Sequence, residues 1–179
     1  NVIIGILANR EEDKDGKYQY NLFNIKNYEE GINKNKKIIT RNCFDKKLTQ
    51  KGDIIFRLVY PNKIIYVDDK YENLIITSQM CIIRPDTELI DPIFLKWYLE
   101  SELCKDKILL NLTGSSIKKI SVNALRKIEI PKIEIEKQRK IKDLLQLWLR
   151  EKEIMQMMID KKETLYNSII EEIVEEREK

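Results

Sequence analysis

The sequence predicts an α+β fold: a compact mixed-sheet domain, residues 1–133, followed by one long coiled-coil-forming helix, residues 134–179. Three observations carry this. Between residues 18 and 85, several short strand-like apolar runs follow one another at short spacing, bounded by Gly, Pro and Asn. Residues 91–109 change to a bulky helical face behind an Asp-Pro start. From Glu134 onward there is neither Gly nor Pro, and apolar residues recur at close to seven-residue spacing.

Taken in order, "YQYNLFNI" (18–25) reads as a strand, and "GINKNKKIIT" (31–40) as a turn leading into a short strand. "LTQKGDIIFRLVY" (48–60) turns at Lys51-Gly52-Asp53 and continues as an apolar strand. "KIIYVDD" (63–69) follows Pro61-Asn62 as its neighbour, and "NLIITSQMCIIRP" (73–85) is strand-rich up to Pro85. In "DPIFLKWYLESELCKDKIL" (91–109), Asp91 can cap and Pro92 suits the first helical position, which predicts one helix. "LTGSSIKKISVNALRKIEIP" (112–131) opens with a turn at Gly114-Ser115-Ser116. It returns to period two at "RKIEIP" and closes the domain near Pro131–Ile133. The final helix carries a seam at Ile141, Leu145, Trp148, Met155, Ile159, Tyr166, Ile169 and Ile173, interrupted by Lys152 and Lys162. It would run roughly 60 Å at 1.5 Å per residue. An apolar stripe on an isolated helix needs a partner, so these eight residues are the expected homodimer interface.

Composition excludes several chemistries. The chain has no histidine, which removes imidazole acid–base catalysis, His metal ligands and a Ser-His-Asp triad. Cys43, Cys81 and Cys104 are odd in number and form no CxxC. That fits reduced thiols in a cytoplasmic protein better than a disulfide framework or zinc site. No apolar run approaches membrane-spanning length and no signal peptide is recognisable. The start at Asn1, without methionine, leaves room for native residues before it. Charged residues make up 35% of the chain, yet apolar residues make up 42% and are patterned, so a folded protein is expected. Residues 134–179 hold 10 Lys and Arg against 12 Asp and Glu. With 33 and 30 in the whole chain, residues 1–133 carry 23 and 18, a balance of +5 against −2. The basic charge lies in the domain, which permits phosphate binding there.

The order and spacing of "KGDIIFR", "IIRPD", "DPIFLKWYLES", "GSSIKKISVNALRKIEIP" and "EIEKQRKI" resemble the specificity subunit of type I restriction-modification systems, over nearly the whole chain. The resemblance implies a non-catalytic protein whose target-recognition domains each read half of a split DNA sequence. It also implies long helices that pair antiparallel as a spacer, and methylation subunits, with restriction subunits, as partners. Such subunits have two recognition domains and two helices; this chain has one of each, so it looks like a half-subunit, or a fragment, that would dimerise to rebuild the scaffold. The segment "RLVYPNK" (57–63) also lacks the glycine many members carry.

The candidate DNA-binding residues fall in three groups. Ser115 and Ser116 can donate to phosphates or base edges, and Lys118 and Lys119 can neutralise phosphate. Arg57, Tyr60, Asn62 and Lys63 occupy a loop, where Arg suits guanine and Asn suits adenine. Lys36 and Lys37 belong to the "NKNKK" run (33–37), near Arg41, Lys46 and Lys47; such a run is also the ordinary makeup of a solvated face. Trp97 and Tyr98 read as core aromatics. Asp68 with Asp69, and Glu100 with Glu102, make no convincing metal site. No phosphate-binding glycine loop, methyltransferase motif or cofactor fingerprint is present, so neither cofactor nor metal is expected. Competing readings are a stand-alone DNA-binding dimer acting as a regulator, and a coiled-coil adaptor that binds only protein.

Overall fold

The computed structural model describes residues 1–23, 25–29 and 36–175. They divide into two units, Asn1–Gln138 and Arg139–Lys179. The strands are β1 (Val2–Ile4), β2 (Tyr18–Leu22), β3 (Lys36–Thr40), β4 (Ile54–Arg57), β5 (Ile64–Tyr66), β6 (Leu74–Ile75), β7 (Met80–Ile83), β8 (Leu112–Thr113) and β9 (Lys119–Ile120). The helices are α1 (Ala8–Glu11), α2 (Ile25–Glu29), α3 (Pro92–Glu100), α4 (Glu102–Leu110), α5 (Val122–Arg126) and α6 (Ile135–Glu175).

A four-stranded antiparallel sheet runs β1-β7-β4-β5, and a three-stranded sheet runs β3-β2-β6, with β2 and β6 parallel. The fold is therefore α+β with mixed sheets, as expected. The first sheet is covered on both faces, which is why "DIIFRLVY" is apolar almost without interruption. Ile54 and Phe56 of β4 pack toward Leu95, Tyr98, Cys104 and Leu125 from α3, α4 and α5. Ile55, between them, packs with Phe23, Val67 and Ile82. All three β4 side chains are essentially inaccessible, and each such burial is worth about 2 kcal/mol over exposure.

The recognisable sequence motifs turn out to be tied to one another. Asp53 of "KGDIIFR", 1% exposed, receives Arg84 of "IIRPD" through Nε at 2.8 Å and Nη2 at 2.7 Å. Those bonds hold the Arg84 pKa above its ordinary value. Asp91 of "DPIFLKWYLES" caps α3 by accepting from the Ile93 and Phe94 amides, with Pro92 at the first helical position. Gln138 of "EIEKQRKI" is buried. Its Oε1 accepts from the Asp91 amide, and its Nε2 donates to the carbonyls of Leu89 and Ile133. The first turn of α6 thus belongs to the first unit.

The structure corrects four expectations. Residues 91–109 form two helices, because Ser101 is extended (φ −70°, ψ 154°) and its hydroxyl donates to the Tyr98 carbonyl. A serine that bonds its local backbone competes with helix continuation, and the break lets Cys104 and Ile108 reach the core. "SVNALR" is a short helix, α5, capped by Ser121 accepting from the Ala124 amide, and "RKIEIP" forms no ladder. The first predicted strand stops at Leu22, and Ile25 begins α2. Residues 73–85 are strand-rich as expected, with β6 and β7 separated by a turn. Trp97 is at the surface, ring against Phe94, because α3 buries the stripe Phe94, Leu95, Tyr98 and Leu99. The expected turn at 31–35 lies outside the described residues.

The second unit is the remainder of α6, a helix of 41 residues spanning about 61 Å at 1.5 Å per residue. Along it Trp148, Met155, Ile159, Tyr166, Ile169 and Ile173 are all exposed, while Ile141 and Leu145 are half-buried. The apolar surface is broader than the predicted seam: Leu144, Leu147, Met158 and Leu165 are exposed beside it. Lys152, an interruption in the seam, lays its ammonium over the Trp148 ring at 5.9 Å.

Candidate nucleic-acid interface

Two of the three predicted groups are brought together. β8 and β9 form a hairpin whose turn contains Gly114 at φ +109°. A side chain there would meet the Ile117 carbonyl oxygen 2.3 Å away, so glycine is a backbone requirement. Ser115, Ser116, Lys118 and Lys119 are all exposed on this hairpin. The chain after β4 runs alongside it. Val59 bridges to Lys119, the Tyr60 amide donates to the Lys118 carbonyl at 2.9 Å, and the Ile120 amide donates to Leu58 at 3.0 Å. Sequence spacing of more than fifty residues thus collapses into one loop cluster, presenting Tyr60 (half exposed), Lys63, Lys118 and Lys119.

Asn62 behaves differently from its neighbours. Its Nδ2 donates to the carbonyl of Arg57 at 2.8 Å and approaches that of Leu58 at 3.5 Å. The amide braces its own loop. Reading adenine takes both the donor and the acceptor of an amide, and in this conformation the donor is engaged.

Arg57 is separated from the rest of its loop by the pleat of β4. It sits on the Ile55 face, opposite Met80 in the register, and lines a cleft of about 260 Å³ with Lys36, Lys26, Thr77 and Gln79. Tyr60, Asn62 and Lys63 instead line a concavity of about 500 Å³ against α3 and α4. Lys36 and Lys37, adjacent on β3, face opposite ways. Lys36 reaches the Arg57 cleft and pairs with Glu12 at 2.9 Å. Lys37 lines a hollow beside Glu12, Asp13 and Lys14. Residues 33–35 of the basic run lie outside the described residues.

Asp68 caps a 3-10 turn and Asp69 pairs with Lys51 at 2.6 Å. Glu100 pairs with Lys96 and Glu102 with Lys105, each at 2.6 Å. Among the described residues no acidic or thiol cluster could hold a metal ion. Burial pushes the Cys81 thiol up to about 12 and raises that of Cys104, so neither is a thiolate at neutral pH. No described helix is long and apolar enough to cross a membrane.

No family model and no curated protein matches this chain. Solved structures do. The type I restriction-modification S subunit from M. genitalium aligns with TM-score 0.52 and 19% identity, over 84% of this chain and 36% of that one. The HsdS subunit from Thermoanaerobacter tengcongensis aligns with TM-score 0.54 and 24% identity, over 68% and 33%. A chain from a structure of complex assembly and conformational transition of the type I R-M system aligns with TM-score 0.55 and 20% identity, over 88% and 38%. The resemblance read from the sequence holds at the level of fold, and the chain spans about a third of the length of these structures.

Proposed function

We propose that this chain is a DNA-specificity component of a type I restriction-modification complex. It binds one half of a bipartite duplex site through residues 1–133 and dimerises through the seam of α6. It carries no catalytic step; a methylation subunit, and restriction subunits where present, supply the chemistry in the cytoplasm. The observation that carries this reading is the joined loop cluster at Tyr60–Lys63 and Ser115–Lys119, on a fold shared with S subunits. The basic balance of the domain and the exposed apolar surface of α6 support it. The stand-alone regulator and the coiled-coil adaptor remain the competing assignments, and binding separates them.

Footprinting on genomic duplex DNA, with and without the methylation subunit, tests the assignment. Protection of two separated half-sites that strengthens with that subunit is expected. Equal protection without it favours the regulator, and indifference to DNA in both arms favours the adaptor. In the same series, Trp148→Asp with Met155→Asp places unpaired charge in the helix seam. Light scattering should then give a monomer where the wild type gives a dimer; a wild-type monomer at high concentration overturns the homodimer.

A further inference from the structure

The turn between β6 and β7, Thr77-Ser78-Gln79, played no part in the sequence reading of the site. Five backbone contacts hold it. The Met80 amide closes it onto Thr77 at 2.9 Å, and Ser78 donates to Ile6 at 2.7 Å. Gly5 donates to Met80 at 3.2 Å, Leu58 donates to Gln79 at 2.9 Å, and Ile6 donates to Ile76 at 2.9 Å, which makes Ile6 a parallel bridge to Thr77. The packing is close enough that a side chain at position 5 would come within 2.2 Å of the Thr77 carbonyl oxygen. Backbone bonds to the segments that follow β1 and β4 thus fix where the Gln79 backbone stands.

Those side chains stand between two clefts. Thr77 and Gln79 line the 260 Å³ cleft that holds Lys26, Lys36 and Arg57, and also a second cleft of about 410 Å³ that holds Asn9 and Arg10. Neither described lining contains a carboxylate, although Lys36 is paired with Glu12 from outside and Lys26 also has a partner. Gln79 is exposed, and among the described residues its side-chain amide has no hydrogen-bond partner. That is the reverse of Asn62. The Leu58 backbone links the turn to the loop cluster: its amide donates to Gln79 and its carbonyl accepts from Ile120.

We infer that Gln79 is a specificity-determining residue, whose side-chain amide reads an adenine in the major groove from between the two basic clefts. The inference rests on the DNA-binding reading above. A glutamine amide offers the donor and acceptor that adenine N7 and N6 require, and Arg57 beside it suits a neighbouring guanine. The flanking cations then serve phosphate and orient the duplex.

Selection from a duplex library with randomised positions, using the full chain with its methylation subunit, reads this out. Gln79→Ala should lose about 10- to 100-fold of its preference for adenine at one position per half-site. Affinity for random duplex and its salt dependence should stay within about twofold, since no phosphate contact is removed. Gln79→Glu, an acceptor alone, should move the preference at that position toward cytosine. Both variants alter an exposed side chain, and thermal unfolding checks that they fold as the wild type does. A Gln79→Ala profile identical to wild type, or an equal loss across all sequences, overturns the inference and leaves DNA binding standing. A wild-type protein that selects no sequence overturns the DNA-binding reading and this inference with it.

Discussion

Asp53, buried at the start of β4, has both carboxylate oxygens engaged, by Arg84 and by the Gln50 backbone amide at 2.8 Å. Arg84 also donates to the Leu48 carbonyl at 2.9 Å, so one pair ties the start of β4 to the end of β7 and to the loop before both. Removing one partner of such a pair leaves the other desolvated. Asp53→Ala should therefore cost about 3 kcal/mol, the low end of the range for buried pairs because Arg84 keeps some access to water. Urea unfolding of the two proteins checks it; a loss below about 0.5 kcal/mol would show the pair to be idle. Single residues were unevenly legible. Asp91 and Pro92 declare a helix start by local chemistry, and they form one. Asp53 and Gln138 look like ordinary surface residues in the sequence. Their burial depends on partners 31 and 47 positions away, which no local pattern encodes.

At the scale of elements, the β8–β9 hairpin is the clearest case of a motif whose backbone was readable and whose neighbours were not. Gly114 marks the turn, and the alternation after it marks the strand. That β9 lies against the chain leaving β4 is a matter of long-range pairing. Lys118 and Lys119 follow this hairpin turn and are both exposed. If both neutralise phosphate, Lys118→Ala with Lys119→Ala should weaken binding to all duplexes alike. The log–log salt slope should fall by about one per lost contact per domain. A loss confined to the target, with the slope unchanged, would assign these lysines to base reading instead. The α3–α4 break shows the opposite failure of legibility. Helical periodicity continues in type across Ser101, so the pattern predicts one helix. The core requires Cys104 and Ile108 to face inward, and the break at Ser101 satisfies that.

For the whole molecule, the length of α6 becomes a measurable quantity under the proposed function. In an antiparallel pair of such helices, each domain precedes its own helix, so lengthening both helices moves the two half-sites apart. Two-fold symmetry makes the half-sites identical, and the target an interrupted palindrome. One heptad inserted near Lys152 keeps the seam in register and adds about 10 Å at 1.5 Å per residue. DNA rises about 3.4 Å per base pair, so the preferred gap should widen by about one to three base pairs. The range allows for DNA twist and an oblique helix axis. Mapping of methylated sites, with the methylation subunit supplied, reads both gap and half-site. An unchanged gap in an active, folded insertion variant would sink the spacer role.

The sequence by itself determined the fold class, the position of the long helix, its apolar seam and the absence of imidazole chemistry. Each of these follows from composition or from periodicities of two and about seven residues, which are local properties of the chain. The tertiary structure alone decided which loops share a surface. It joined Tyr60 to Lys118, turned Arg57 away from Asn62 across a pleat, engaged the Asn62 amide, and left that of Gln79 without a partner among the described residues. Those outcomes depend on strand order β1-β7-β4-β5 and on backbone hydrogen bonds between distant segments. Many polar residues look alike in a sequence; pairing across the sheet is what distinguishes an amide that braces a loop from one that faces solvent.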